Sequence, residues 1–528
     1  MMDWGSPRMQ RRMLQGTLIG ASVSLCLVAC GKDTSEDDYI GGSGGVTIQP
    51  PGVGGADPIV EATGGVDGDG GSPPVVYAPE VGDCLDLGDI GFGGAGGAGV
   101  GLGLGGDFAD GEAGLRGAPL IFSPTMTSFG LSAVVGAGEP QDIHPCVRRK
   151  GDELWQPVPG RTVVAADAVE WKVTGLRAGV EYEYVIRRNG ETLFFGRAVT
   201  QRQAGESYRF AIMTDSHTSP RDVPNPDDPH AEIETINFKE ETLAAVATNI
   251  GNANPDFIVN LGDIIDYHDY GFNIPTPSAN HTRIAYLNHR RLYQETLGNA
   301  AHFPVIGNWE GENGDFTREQ IDTAREQRFI YVPGPEPDTY PEGGSPFEDY
   351  YAFTWGDALF VVLNVMTYTP TTHLLDGVGA ADDWTLGEEQ LSWLKKTLEE
   401  ADSKWRFVMI HHTVGGLAGN LANSIYGRGG GLAAYVGEQA LVHQLMLDHG
   451  VQVFFFGHDH VFTDMVVDGI HYTLPGSSGA PWKFGENETG YSVYWNDSGH
   501  ALVEVSPESV RVEFVNLEDE VFYSYLLE

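Results

Sequence analysis

The sequence predicts an α/β fold: a two-sheet β-sandwich flanked by helices, preceded by a smaller all-β sandwich. After position 207, short apolar runs of strand length alternate with amphipathic segments of helical length. Between about 118 and 206, apolar and polar residues alternate singly, and Gly and Pro break the pattern at regular intervals. The third observation is compositional. Of 528 residues 71 are glycine, concentrated before residue 117, which sets a domain boundary near that point.

The first segment, residues 1–29, reads as an export leader. Arg8, Arg11 and Arg12 form a basic start, and an apolar run from Leu14 to Leu27 ends at Val28-Ala29-Cys30. That run is short for a membrane span and stops at small residues, as a cleaved signal does. LVAC resembles the lipobox of bacterial lipoproteins, which implies lipidation of Cys30, a membrane anchor and a place in the bacterial cell envelope. A plain signal peptide with a coincidental Cys is the alternative; the Gly/Ser/Asp-rich stretch after it favours the anchor. Arg11-Arg12-Met13-Leu14 also resembles a twin-arginine signal.

Residues 30–117 contain GGSGGV, GGVDGDGG and GFGGAGGAGVGLGLGG. This composition buries too little apolar surface to offset its ordering entropy, so a flexible, disordered tether is expected. The glycine runs lack the strand, Lys and Ser/Thr of a phosphate-binding loop. With Cys26 in the leader and Cys30 lipidated, Cys84 and Cys146 read as a disulfide in an oxidising compartment, the alternative being two buried thiols. The formal charge of -43, from 74 acidic and 31 basic residues, repels nucleic-acid backbones, and no nucleic-acid binding is expected.

In the segment 118–206, TGLRAGVEYEYVI followed by FFGRAVT looks like the final strands of a fibronectin type III-like domain. It carries no catalytic spacing, so a spacer or rim is its expected role. From 207 to 528 the order is RFAIMT, a helix near 237–250, DFIVNL, a helix near 282–298, and FPVI. The strand pair YYAFTW and ALFVVLNV comes next, then the helix LGEEQLSWLKKTLEEA, RFVMI, a helix near 437–449, VQVFFF, and a β-patterned tail from 461 to 526.

The residues at the end of each apolar run carry the chemistry. RFAIMT leads to Asp215-Ser216-His217, and DFIVNL to Gly262-Asp263. FPVI leads to Gly307-Asn308, RFVMI to His411-His412, and VQVFFF to Gly457-His458-Asp459-His460. Ligands bind beyond the carboxyl ends of strands in open α/β sheets, so the five segments should converge on one edge. Carboxylate, imidazole and amide donors together suit borderline transition metals better than calcium or magnesium. Singly, each segment reads equally well as a turn or a polar strand end; the ordered set of five points to a site.

The order DSH, GDIID, GNWE, HH, GHDH resembles the calcineurin-like metallophosphoesterase superfamily, whose motifs run D-x-H, G-D-x-x, G-N-H-[DE], H and G-H-x-H. The resemblance spans roughly 208–480, and with the sandwich in front the domain order is similar to that of purple acid phosphatases. It implies two divalent or trivalent transition-metal ions (Fe, Zn or Mn). Asp215, His217 and His460 would hold one, Asn308, His411 and His458 the other, and Asp263 would bridge them. His411 is preferred to His412 because the family places the ligand first in such pairs. The implied activity is hydrolysis of phosphomonoesters or diesters by attack of a metal-bound hydroxide.

Two positions depart from the family. Purple acid phosphatases carry a Tyr in the motif after Gly-Asp and lack the His of D-x-H; here the residues are Ile264-Ile265-Asp266, with His217 present, so no tyrosinate–iron chromophore is expected. Asp266 reads either as a group orienting a ligand from behind or as a plain turn carboxylate. Trp309 stands where the family keeps a proton-donating His, and indole donates a hydrogen bond but does not exchange a proton at useful pH. His268 and His412 are the candidates to replace it, with an ordinary surface or supporting role as the alternative for each. Glu310 is expected to orient a ligand. In the long Gly-rich stretch after His411, Arg428 is a candidate phosphate contact on a lid, or part of a plain surface loop. GSSGAPW at 476–482 reads as a structural turn that could line the pocket. The alternative function is a non-catalytic metal- or phosphate-binding surface lipoprotein, with the Trp309 substitution as its mark.

Overall fold

The computed structural model describes residues 84, 87, 114–136, 142–219, 238–267, 279–314, 316–369, 385–414, 438–481, 483, 491 and 493–528. Cys30, His268 and Arg428, and most of the stretch expected to be a tether, lie outside these residues. No helix among the described residues is long and apolar enough to cross a membrane.

The all-β part comprises β1 (Leu120–Phe122), β2 (Ser128–Val134), β3 (Ile143–Arg149), β4 (Gln156–Pro157), β5 (Thr162–Val163), β6 (Ala168–Thr174), β7 (Glu181–Arg188) and β8 (Glu191–Val199). One face pairs in the order β1-β2-β6-β5, the other in the order β4-β3-β7-β8. Cys84 and Cys146 form a disulfide with a Cα–Cα distance of 5.9 Å, packed with Leu87, Trp155 and Val185. Leu115 bridges to Val135. Three points of the glycine-rich stretch, at 84, 87 and 115, are therefore buried against the sandwich rather than belonging to a free tether.

Beyond it the order is β9 (Tyr208–Met213), α1 (Glu240–Ala253), β10 (Phe257–Asn260), α2 (Ala279–Leu292), α3 (Gln294–Leu297), β11 (Ala301–Pro304), α4 (Arg318–Tyr331), β12 (Tyr351–Trp355), β13 (Ala358–Val362), α5 (Gly387–Glu400), β14 (Trp405–Met409), α6 (Glu438–Asp448) and β15 (Val453–Phe455). The tail adds β16 (Phe462–Val467), β17 (Ile470–Pro475), β18 (Gly499–Val505), β19 (Val510–Asn516) and β20 (Val521–Leu527).

The parallel trio β9-β10-β11 lies within a ten-stranded sheet, and the parallel trio β13-β14-β15 within a six-stranded one. Alternate residues of each trio face opposite ways, as the pleat requires. Phe210, Ile212, Phe257, Val259, Phe303, Phe360, Phe407 and Phe455 meet between the sheets. Ala211, Met213 and Ile258 pack on α1, while Val361, Val408 and Phe454 share a cluster with Leu394, Leu398, Val442 and Met446 of α5 and α6. The inter-sheet core is aromatic, with Phe210 and Phe257 stacked at 5.0 Å and Phe353 and Phe360 at 4.9 Å. Helices on the outer faces of two packed sheets give the α/β sandwich that the sequence predicts.

Two features differ from expectation. β1 pairs in parallel with β11, Ile121 opposite Ala301, so one sheet of the small sandwich continues into the large one. The pairing covers backbone groups that an isolated sandwich would leave exposed along that edge. The helix α4 was not anticipated; it begins at a capping box of Thr317 and Gln320, and its buried face carries Arg325 and Arg328.

Candidate metal centre

Each central strand delivers its chain into a tight turn at its carboxyl end, and the turns converge. Asp215 and His217 follow β9, Asp263 follows β10, Asn308 follows β11, His411 follows β14, and His458 and His460 follow β15. Two groups of donors result: Asp215, His217, Asp263 and His460 in one, Asp263, His411 and His458 in the other, with ligand atoms in each group within 4.8 Å of one another. Asp263 belongs to both. Asn308 joins the second group, its Oδ1 being 2.9 Å from His458 Nδ1 and 3.2 Å from His411 Nε2. All seven residues named from the sequence are thus brought together.

The chemistry of the donors fits a cation. His217 Nε2 and His460 Nε2 stand 3.2 Å apart, and His460 Nε2 is 3.2 Å from Asp215 Oδ1. His411 Nδ1 faces the Leu261 carbonyl at 2.8 Å, which fixes a proton on that nitrogen. His411 Nε2 then points at two oxygens, Asp263 Oδ2 at 3.0 Å and Asn308 Oδ1 at 3.2 Å. Apart from that imidazole, Asp263 Oδ2 is buried without a hydrogen-bond donor among the described residues. Lone pairs aimed at one another in this way, in a dry site, are what a shared positive ion resolves.

Electrostatics agree. Burial would raise the Asp215 carboxyl, but the imidazoles around it, His460 foremost, hold it below the usual carboxylate range. Burial lowers His217 to about 4 and drives His458 down as well. His411 is pushed down by burial, yet the adjoining Asp263 carboxylate outweighs this and raises it to about 9. A neutral His217 and His458 and an ionised Asp215 are forms that bind metal, whereas His411, held protonated by Asp263, would give up its Nε2 proton to a cation in that place.

The local backbone explains the convergence. Asp215, His217, Asp263, His458 and His460 have φ of 54°, 51°, 49°, 81° and 58°, a region that L-residues seldom occupy and that collects at functional sites. Asp215 is clamped through its carbonyl, which accepts from Gly479 N at 3.2 Å, Ala480 N at 3.1 Å and Ser477 Oγ at 3.3 Å. The GSSGA turn therefore supports the site from behind. Gly307 is required by proximity, since a Cβ there would collide with Asp263 Oδ1 and with the Asp263 amide.

Glu310, buried, accepts from Gly307 N at 2.5 Å, Asp263 N at 3.1 Å and Ile264 N at 2.6 Å, tying the turns after β10 and β11 together. Burial first, then the Asp263 charge, pushes its carboxyl up to about 8, while its backbone donors draw it back. Trp309 donates its main-chain N–H to Asp263 Oδ1 at 2.8 Å, and its indole meets the His217 ring edge-on at 5.6 Å. His412 is buried, with Nδ1 3.2 Å from the Thr413 carbonyl and its ring 4.6 Å from His458; burial, then His411, lowers it to about 3. It is poorly placed to hold a proton for a leaving group. Asp266 is buried, and its main chain pairs with Thr218 and His281.

Sequence reasoning overlooked Glu312. It is fully buried, its Oε1 2.6 Å from Arg328 Nε and its Oε2 3.1 Å from Arg325 Nε, and so anchors the loop bearing Asn308 to α4. Arg325 and Arg328 at i and i+3 were the available signal.

No curated protein matches the sequence. Among solved structures, that of PhoD is 14% identical with a TM-score of 0.58, covering 79% of this chain and 91% of that one. Purple acid phosphatase PPD1 from yellow lupin (Lupinus luteus) seeds is 16% identical with a TM-score of 0.55, covering 78% and 74%. Both share the fold. Residues 208–462, which contain all seven converging ligands, match the calcineurin-like phosphoesterase family, and this part of the chain is a calcineurin-like phosphoesterase domain.

Proposed function

We propose that the protein is an exported, lipid-anchored enzyme that hydrolyses phosphomonoesters or diesters at a two-metal centre. The observation that carries this reading is the pair of donor groups sharing Asp263, buried except for the half-covered His458. Asp215, His217 and His460 would hold one ion, Asn308, His411 and His458 the other, with Asp263 between them. When bound, two such ions polarise phosphoryl oxygens and lower the pKa of water from about 15.7 towards 7.

The chain's own part is to orient donors and keep them dry. The Leu261 carbonyl fixes the His411 tautomer, Glu310 holds the Asp263 and Gly307 amides, and the Ser477–Ala480 turn fixes Asp215. Retention of the complete ligand set favours catalysis over a purely binding role despite Trp309.

Metal analysis of the purified protein, combined with assays on nitrophenyl phosphate and its bis-ester, tests the reading. About two ions per chain and cleavage of at least one ester are expected. Stoichiometric metal with neither ester cleaved would leave a binding protein. Anchoring through Cys30 is checked separately: Cys30→Ala should move the protein from the detergent phase to the aqueous phase.

A further inference from the structure

Trp309 has a setting that the two-metal chemistry does not explain. Around it, Asn308, Glu310, His217 and Asp263 are buried, with exposures of 3%, 0%, 0% and 0%, whereas Trp309 itself is only partly covered. Its main chain is fixed at both ends: the N–H donates to Asp263 Oδ1 at 2.8 Å, and the carbonyl accepts from Tyr267 N at 3.2 Å. Its ring meets His217 edge-on at 5.6 Å, with 71° between the planes. A large flat ring, itself only partly covered, is thus held beside a ligand of the proposed centre. Indole brings an aromatic face and one N–H donor, and no acid–base chemistry near neutral pH.

Resting on the phosphoesterase reading, we propose that Trp309 selects esters with an aromatic, weakly basic leaving group, such as aryl phosphates, by stacking on the departing ring. Both halves of the proposal come from the same side chain. The indole face supplies the platform, and the absence of a proton donor at that position favours groups that leave without one. In the reaction, water supplies the new oxygen to phosphorus, one of its protons staying on the phosphate product and the other passing to solvent; the bond from phosphorus to the aryl oxygen breaks, and that oxygen departs with the bonding pair as a phenolate. An alkoxide leaving from an alkyl phosphate would require a proton at that moment.

The test uses metal-loaded full-length protein and two non-hydrolysable probes, phenylphosphonate and methylphosphonate, with affinities measured by calorimetry. The parent should prefer the phenyl probe. Trp309→Ala should lose about 5- to 150-fold of that preference, the range for one stacked ring, while its affinity for methylphosphonate changes little. Trp309→Phe, which keeps a platform, should retain most of the preference and guards against a misfolded Ala variant. An unchanged phenyl-to-methyl ratio in Trp309→Ala overturns the proposal. So does a parent that turns over alkyl phosphates as fast as aryl phosphates. If no ester is cleaved although the ratio collapses as expected, stacking stands and the phosphoesterase reading fails, so the two ideas are separately exposed.

Discussion

Replacing Glu310 with Gln tests how the centre is held. The carboxylate accepts four backbone N–H groups from two turns: Gly307 at 2.5 Å and Asp263 at 3.1 Å on one oxygen, Ile264 at 2.6 Å and, more weakly, Ile265 at 3.5 Å on the other. In Gln one oxygen becomes an NH2 group, so at least one of these donors would face another donor in a buried site. Above about pH 8, where Glu310 is ionised, hydrogen bonds to this charged acceptor contribute about 1.5–3 kcal/mol each, and the burial cost already borne by the carboxylate offsets part of the loss. The expected destabilisation is about 2–4 kcal/mol. Because the released amides belong to Asp263 and to the residue before Asn308, metal affinity should fall with stability. Urea unfolding gives the first quantity, and competition with a chromophoric chelator gives the second. If Glu310→Gln unfolds at the parent's midpoint and holds metal equally well, Glu310 is protonated and its amide bonds are weak, which would refute the argument.

Glu312→Gln leaves Arg328 and Arg325 buried beside a neutral partner, and should cost about 3–5 kcal/mol in urea unfolding with enzyme activity falling only as folded protein is lost. Cys84→Ser with Cys146→Ser opens a link spanning 62 residues; the chain-entropy relation gives a loss of about 4 kcal/mol, readable as a lower melting temperature that matches the reduced parent. His289 and His302 are buried, and among the described residues neither ring has a hydrogen-bond partner on either nitrogen. Burial lowers both, His302 from 6.5 to about 3, with Arg290 adding to the effect. Their folded-state values lie below the unfolded ones, so unfolding takes up protons and stability declines as pH drops below 6.5, by up to about 1.4 kcal/mol per pH unit for each histidine. His302→Leu should flatten this acid limb and be at least as stable as the parent at pH 8; parallel limbs would show that His302 is not buried neutral.

The buried strands were legible because parallel strands covered on both faces read as unbroken apolar runs, and the polar residues after each run marked their carboxyl ends. Ile212-Met213 before Asp215 and Phe455-Phe456 before His458 illustrate the signal. Helix α4 was not legible, because Arg325, Gln327 and Arg328 interrupt its buried face between Ile321, Ala324 and Tyr331; the two arginines are covered through Glu312, and apolar periodicity does not register such positions. Nor could local pattern reveal that β1 pairs with β11, a contact between segments 180 residues apart (Ile121 with Ala301). The convergence of these Asp, Asn and His residues was legible, but their backbone conformation was not. Left-handed positions are usually read from Gly or Asn, whereas here they are occupied by Asp and His.

That conformation decides the fate of the site when metal is removed. In an extended strand, side chains at i and i+2 share a face roughly 7 Å apart, given a rise of about 3.3 Å per residue. Asp215 and His217 both adopt left-handed φ, and His217 Nε2 comes to 3.9 Å from Asp215 Oδ1. Each such position costs roughly 1–3 kcal/mol, so something must hold the five in place. For Asp215, His217 and Asp263 the backbone itself does so. Asp215 N donates to the Gly262 carbonyl at 3.0 Å, His217 N to the Asp263 carbonyl at 2.9 Å and Thr218 N to the Ile264 carbonyl at 3.2 Å, which prolongs the pairing of β9 with β10 through the two turns. His458 N closes the set on Asp215 Oδ1 at 3.2 Å. These bonds do not depend on a cation, so the site should be built by the fold and not by its ions. Chelation should therefore lower the melting temperature through loss of binding energy, yet leave the amides of Asp215, His217 and Thr218 protected from hydrogen exchange. Rapid exchange of those three amides in chelated protein, with the β9 and β10 amides still protected, would mean that the ions impose the turns and that the backbone ladder is too weak to hold them.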